Sequence, residues 1–437
     1  MQRSIVSDLD RWKSRTDRKP LIVRGVRQCG KTWLLKDWGR KNFSDVAYFN
    51  FESAVDLSEC FAGDLKPQRI LTELGVYNGR KLLPQTTLII LDEIQFCPRA
   101  LTALKYFYEQ TPDYAIACAG SLLGISLAQP QSFPVGKVEF LTLYPLSFEE
   151  FLLAQGQGPL LEYLEGQPLG SPLPELFAGQ LEGLLKNYYL TGGMPEVVTR
   201  WVENHDLEEV ERIQDQILGA YELDFAKHAP AADFPKLSLI WKSIPDQLAR
   251  APGKFFFGHA KPGARAKDLE DALQWLLSAG MAFRVCRIEK PGIPLSAYSE
   301  SQFFKLYLSD CGLLRRLAKV PAAAILGEAP LYAEFKGALT ENYVLNQLVT
   351  TFGEVPYYWQ SGNTAEVDFL LALGNRIVPI EVKSSTNVRS RSLALYRERY
   401  QPELAVRLSM RNAKEQDGLL NLPLYWLGGL RKLGYRS

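Results

Sequence analysis

Histidine, cysteine and net charge are all in short supply in this chain, and each shortage closes off a class of function. Its 437 residues include 3 His and 6 Cys. The cysteines, at positions 29, 60, 97, 118, 286 and 311, form no Cys-x-x-Cys pair and have no His neighbours. That pattern argues against zinc and against a disulfide framework, and reads as a reducing, cytoplasmic setting. No apolar run approaches the roughly 20 residues that span a bilayer. The N-terminus lacks the apolar core of a signal peptide, so no membrane partner is expected. Lys+Arg 50 against Asp+Glu 49 leaves a formal charge of +1, which by itself predicts no polyanion partner.

The charge that is present is unevenly spread. Residues 139–224 hold 16 acidic and 3 basic side chains, residues 236–319 hold 14 basic and 7 acidic, and residues 383–437 hold 11 basic and 4 acidic. Such polarity serves either a basic surface for nucleic acid or the mutual pairing of acidic and basic parts of the chain. A content of 46% hydrophobic and 11% aromatic residues calls for well-packed globular structure, and the length suits about three domains.

Gly25-Val26-Arg27-Gln28-Cys29-Gly30-Lys31-Thr32 fits Gly-x4-Gly-Lys-Thr and follows the apolar run Leu21-Ile22-Val23. Gly25 and Gly30 let the backbone curl so that its N–H groups converge on phosphate oxygens, and the helix opening at Trp33-Leu34-Leu35 favours anions at its start. Lys31 is expected to reach the β- and γ-phosphates, and Thr32 to ligate magnesium. The reading is a nucleoside triphosphate site, with ATP and magnesium as cofactors.

About 60 residues on, Thr87-Leu88-Ile89-Ile90-Leu91 is a continuous apolar run ending in Asp92-Glu93. It reads as a parallel strand buried on both faces, whose carboxyl end faces the nucleotide. Asp92 is expected to hold the magnesium water shell, and Glu93 to orient and deprotonate an attacking water. A third strand, 114–119, ends in Gly120-Ser121, where Ser121 is a candidate sensor of the γ-phosphate, although Gly-Ser is also an ordinary turn pair.

Beyond residue 143 the patterns change. Ser147, with Glu150 three positions later, reads as a capping box opening a helical lid. Residues 155–175, rich in Gly and Pro, read as a loop or an insertion within the lid, and helices resume until a break at Gly192-Gly193-Met194-Pro195. From 234 to 318 two or three helices precede the alternating segment Ala282–Ile288 and the turn Lys290-Pro291-Gly292. That is the outline of a winged helix, a module that contacts either DNA or protein.

A second chemical site is expected near the C-terminus. Residues 365–373 and 376–383 flank the turn pair Gly374-Asn375. With Leu373 paired to Arg376, Asp368 falls opposite Glu381 and Glu366 opposite Lys383. Strand alternation then puts these four side chains on one face and Val367, Phe369, Ile380 and Val382 on the other. Three carboxylates beside one lysine repel each other unless a cation joins them, which suits magnesium or manganese. Asp-x(n)-Glu-x-Lys is the core of PD-(D/E)xK nucleases, with Lys383 as the catalytic lysine and Asp368, Glu381 and the upstream helical Glu341 as metal ligands. A hairpin with cross-strand salt bridges has the same pattern.

Taken together the residues resemble bacterial and archaeal AAA+ ATP-binding proteins that carry a C-terminal nuclease-like domain of unknown function. The resemblance rests on Arg24–Thr32, Leu91-Asp92-Glu93-Ile94-Gln95, Gly120-Ser121, Tyr144–Phe151, Gly192–Pro195 and Lys305–Leu314, and covers nearly the whole chain. Where that family commonly has Gly-Arg ahead of its Pro-Leu-Ser-Phe segment, a candidate arginine finger, this chain has Gly136-Lys137, and a lysine lacks the guanidinium fork. The resemblance implies ring-like homo-oligomers, a hexamer among them.

The expected fold is α/β. A P-loop AAA+ core with a doubly wound parallel sheet occupies 1–143, a helical lid 144–230, a winged-helix-like domain 231–320 and an α/β restriction-endonuclease-like domain 321–437. The expected function is an ATPase that engages DNA and is coupled to a metal-dependent nuclease-like domain. The alternative is an ATP-gated oligomeric switch or scaffold that grips nucleic acid or protein without cleaving it.

Overall fold

The computed structural model describes residues 1–120, 136–250, 253–327, 330–362, 365–386 and 390–434. Ser121 therefore lies outside the described residues. The chain divides into two compact units, one of residues 3–144 with 278–281, the other of 145–277 and 282–437 with 1–2. Among the described residues all six cysteines are free, and no helix is long and apolar enough to cross a membrane.

In the first unit, strands β1 (Leu21–Arg24), β2 (Asp45–Asn50), β3 (Thr87–Asp92), β4 (Ala115–Gly120) and β5 (Glu139–Thr142) form one sheet in the order β2-β3-β4-β1-β5. Every pairing is parallel. All residues of β3 and β4 are buried, as unbroken apolar runs require of strands covered on both faces. Helices Lys31–Asn42, Pro67–Tyr77 and Pro98–Gln110 link the strands. Phe49, Phe61, Ile89, Leu104 and Phe107 lie in the core beneath them. The path leaving β1 crosses to the far edge at β2 while β5 lies on the other flank, so the carboxyl end of β1 borders the crevice where such sheets take ligands.

The second unit opens with helices. Ser147 caps the helix Phe148–Ala154 in a full capping box with Glu150. Of loop and insertion, the two readings of 155–175, the structure has the insertion. It contains the helix Gly158–Gly166, with proline in the first turn and Leu160, Leu161 and Leu164 forming a buried stripe. Proline is tolerated in a first turn, where its missing N–H is no loss, and the leucine periodicity decides the outcome. Helices Glu175–Thr191, Pro195–Asn204 and Leu207–His228 follow.

Helices Phe234–Ala249 and Ala266–Ser278 and the antiparallel pair β6 (Ala282–Ile288) and β7 (Ser299–Leu308) reproduce the helix, helix, hairpin outline. They do not stand apart as a domain ending at residue 320. Strand β6 pairs in parallel with β8 (Tyr357–Ser361), which continues through β9 (Ala365–Leu373), β10 (Arg376–Val382), β11 (Ala405–Ser409), β12 (Lys414–Gln416) and β13 (Leu419–Pro423). The result is one mixed sheet in the order β12-β13-β11-β10-β9-β8-β6-β7. Strand pairing across residue 320, which no local pattern reveals, joins residues about 70 positions apart.

The opposite charges of this unit meet one another. Arg315 and Arg316 bridge Glu211 at 2.9 and 3.1 Å, and Arg316 also reaches Asp215 at 2.6 Å. Arg431 bridges Glu149 at 2.6 Å, and Lys242 pairs with Glu222 at 3.4 Å.

Three sequence landmarks converge on Asp310. Its carboxylate accepts the Gly193 N–H at 2.6 Å and the Leu313 N–H at 2.8 Å, while the Leu146 N–H donates to the Gly193 carbonyl at 2.7 Å. A Cβ at Gly192, whose φ is +67°, would lie 2.1 Å from Asp310 Oδ1. Burial pushes the Asp310 carboxyl up to about 6, against the pull of these N–H donors.

Candidate functional site

The turn after β1 is built for close approach. A Cβ on Gly25 would lie 2.1 Å from the Leu143 carbonyl oxygen. Gly30 takes φ +95° immediately before the helix that Lys31 opens, and Gln28 takes φ +65°. Lys31 is 6% exposed, and its ammonium donates to the Gly25 and Val26 carbonyls at 2.8 and 2.9 Å. From outside, the buried Arg3 guanidinium donates to the Cys29 carbonyl at 3.2 Å and to Tyr144 O at 2.5 Å. The loop is therefore gripped on both sides. The loop thus runs into a helix start, whose free N–H groups are what phosphate oxygens require.

Asp92 ends β3 beside it. The Thr32 hydroxyl donates to Asp92 Oδ2 at 2.9 Å, and the Tyr48 hydroxyl donates to the same oxygen at 2.7 Å. Tyr48 arrives from β2, whose Asn50 stands in register with Asp92. The Lys36 ammonium covers its ring, 3.1 Å from the centroid. Burial, with Asp92 adding to it, pushes the Tyr48 hydroxyl up to about 12, so it remains a donor. Glu93 has left-handed backbone geometry, φ +50°, and its carboxylate accepts from the Gln95 side-chain amide. Lys137 pairs with Glu109 at 3.1 Å within its own unit. Gly25, Gly30, Lys31, Thr32, Asp92 and Glu93 thus gather as the sequence pattern requires, whereas Tyr48, Lys36 and Arg3 carry no signature in a single sequence.

The second predicted site is also gathered, with a different charge balance. The hairpin takes the expected register, Arg376 against Leu373 through Ile380 against Phe369. Beyond it Asp368 Oδ2 accepts the Val382 N–H at 2.7 Å, so a side chain replaces the ladder carbonyl. Glu381 is 4% exposed; its Oε1 accepts from Lys383 at 2.6 Å and from the Ser390 hydroxyl at 2.8 Å, while Oε2 has no hydrogen-bond partner among the described residues.

The cation that the carboxylates call for is supplied by the chain. Lys305, on β7, has a side chain 3% exposed and lies 2.5 Å from Glu366 Oε1 and 3.4 Å from Glu341 Oε2. The Tyr307 hydroxyl donates to the same Glu341 oxygen at 2.9 Å. Burial opposes the charge on Lys305, yet Glu341 and Glu366 hold its ammonium well above the ordinary lysine range. Burial, then Glu381 and Glu341, raises the Asp368 carboxyl well above its usual range. Among the described residues no three His, Cys, Asp or Glu side chains are arranged to hold a metal ion. The expected set Glu341, Asp368 and Glu381 is therefore close but not convergent, because two ammonium groups stand among its oxygens. The sequence did hold a sign of Lys305, a lone charge inside the apolar run Phe303–Leu308.

Comparison with known proteins bears on the fold of the first unit. Residues 17–152 match an AAA domain family, residues 182–324 a domain of unknown function (DUF8612), and residues 336–427 a second one (DUF4143). Uncharacterized proteins of Mycobacterium bovis and Mycobacterium tuberculosis are each 27% identical over 297 residues, 64% of this chain. The chain spans 63% of the length of these relatives. A Walker-type ATPase of Pyrococcus abyssi aligns at TM-score 0.45 and 13% identity, over 72% of this chain and 94% of that one. DnaA of Aquifex aeolicus, bound to AMPPCP, aligns at TM-score 0.26 and 14% identity, over 62% of this chain and 86% of that one. The domain match over residues 17–152 and the all-parallel sheet liken the first unit to AAA domains.

Proposed function

We propose that this chain binds magnesium-ATP at Gly25–Thr32 and Asp92, hydrolyses it with Glu93 as the base, and uses the cycle to engage DNA. The observation that carries the ATPase reading is the meeting of Thr32, Tyr48 and Asp92 on one carboxylate oxygen, beside a loop too tight for any residue but glycine at position 25.

Magnesium bound at Thr32 and Asp92 would offset the charge of the phosphate oxygens. The loop N–H groups and the helix start would hold the triphosphate, and the Lys31 ammonium would turn from the Gly25 and Val26 carbonyls toward its terminal phosphates. Glu93 stands at the end of β3, where it accepts a proton from water. Lys31→Ala is expected to abolish ATP binding in calorimetry. Glu93→Gln is expected to bind ATP and not turn it over; hydrolysis at the wild-type rate would remove Glu93 from the role of base.

The DNA part rests on the basic excess of residues 236–319 and 383–437, which the ion pairs to Glu149, Glu211 and Asp215 use only in part. Two readings of the second unit differ in outcome. The unpartnered, buried Glu381 Oε2 favours a metal-dependent nuclease in which Lys383 steadies the scissile phosphate, with manganese as an alternative to magnesium. The Lys305 bridges favour an ATP-gated oligomeric switch that grips without cutting. Incubating the protein with several DNA forms and manganese, beside Glu381→Ala, separates them: cleavage lost in the variant supports the nuclease, and no cleavage supports the switch.

A further inference from the structure

We propose that the Lys305 ammonium stands in for a divalent cation at the acidic centre of the second unit, so that this centre is complete without metal. The inference is independent of the ATPase reading.

Four carboxylates and two lysines meet there, and nearly every anionic oxygen named above is engaged. Glu366 Oε1 is held by Lys305, and Glu341 Oε2 is shared by Lys305 and Tyr307. Asp368 Oδ2 takes the Val382 N–H, and Glu381 Oε1 takes Lys383 and Ser390. The remaining Glu381 Oε2 belongs to a carboxylate already bound to an ammonium. A divalent ion placed there would face the charges of Lys305 and Lys383.

A buried lysine is kept in proteins only when its charge is matched, and separating it from its partners leaves an uncompensated charge in low dielectric. An ion arriving from solvent would therefore have to displace a side chain that is covalently tethered to β7 and nearly closed off from water. Strand β7, joined to this sheet through β6, delivers this counter-charge to Glu341 and Glu366.

The test uses the full chain carrying Lys31→Ala, which silences the phosphate loop, titrated with manganese alone and followed by electron paramagnetic resonance of the free ion. With Lys305 present, adding Asp368→Asn is expected to leave the binding curve unchanged. Lys305→Met is expected to create a manganese site at least about tenfold tighter than any in the parent, lost again when Asp368→Asn is added. Manganese should also raise the melting temperature of the Lys305→Met chain and not that of the parent. If Lys305→Met does not fold, the charge-balanced pair Lys305→Met/Glu366→Gln is expected to show the same gain. Manganese binding by the Lys305-containing chain that Asp368→Asn abolishes would overturn the proposal, as would a Lys305-free chain that folds and gains no site.

Discussion

A neutral hydroxyl governs the acidic group that faces the phosphate loop. Tyr48 stays protonated because burial holds it near 12, so Asp92 Oδ2 always accepts from it. Tyr48→Phe removes that orienting donor, and the magnesium needed for half-maximal ATP turnover is expected to rise about tenfold, the usual scale for losing a group behind a metal ligand. A magnesium titration of the hydrolysis rate measures it. Asp310 gives a pH signature of its own. An aspartate titrates near 3.9 in an unfolded chain, whereas burial brings this one to about 6 in the folded state. Between those values the folded chain binds the extra proton, so its stabilising effect is full at the acid end and is lost as pH rises to about 6. The loss is on the order of 3 kcal/mol. Glu366 and Asp368, also raised by burial, add slopes of the same sign. Urea melts at several pH values should therefore show a flatter profile for Asp310→Asn than for the parent, and the difference isolates Asp310.

At the scale of strands and turns, the glycine at position 25 answers to a carbonyl 118 positions away. Gly25→Ala puts a methyl 2.1 Å from Leu143 O, so the loop must shift. ATP affinity is expected to fall by more than about tenfold, with a lower melting temperature, as read by calorimetry on the variant. This element was legible in the sequence because its chemistry is contiguous: two glycines, a lysine and a threonine between a strand and a helix. The β3 run and the Ser147 capping box were legible for the same reason, and the β9–β10 register followed from a two-residue turn. Tyr48 and Arg3 were not, since each enters its site through the pairing or stacking of elements far apart in the chain, and for Lys305 the sequence held a lone charge in an apolar run without its partners. Local composition left 155–175 open between loop and insertion, and at Gly158–Gly166 leucine spacing outweighed the turn-forming residues around it.

For the molecule as a whole, a near-zero net charge conceals opposed segments that meet within the second unit at Glu149, Glu211 and Asp215. A fragment starting at residue 321 would lose β6 and β7, expose the edge of β8 and leave Glu341 and Glu366 without Lys305. Such a fragment is expected to aggregate, whereas residues 145–437 should elute as a folded species on size exclusion and melt cooperatively. The meeting at Asp310 reaches further still. Gly193 waits for a partner 117 positions later, the Phe148 N–H for Gln347 199 positions later, and the Leu173 N–H for Asn412 239 positions later. Closures over such spans are slow. During synthesis the early helices of this unit remain unfinished, with apolar stripes uncovered, until the residues near Asn412 have been made, and the nascent chain is expected to need shielding over that interval.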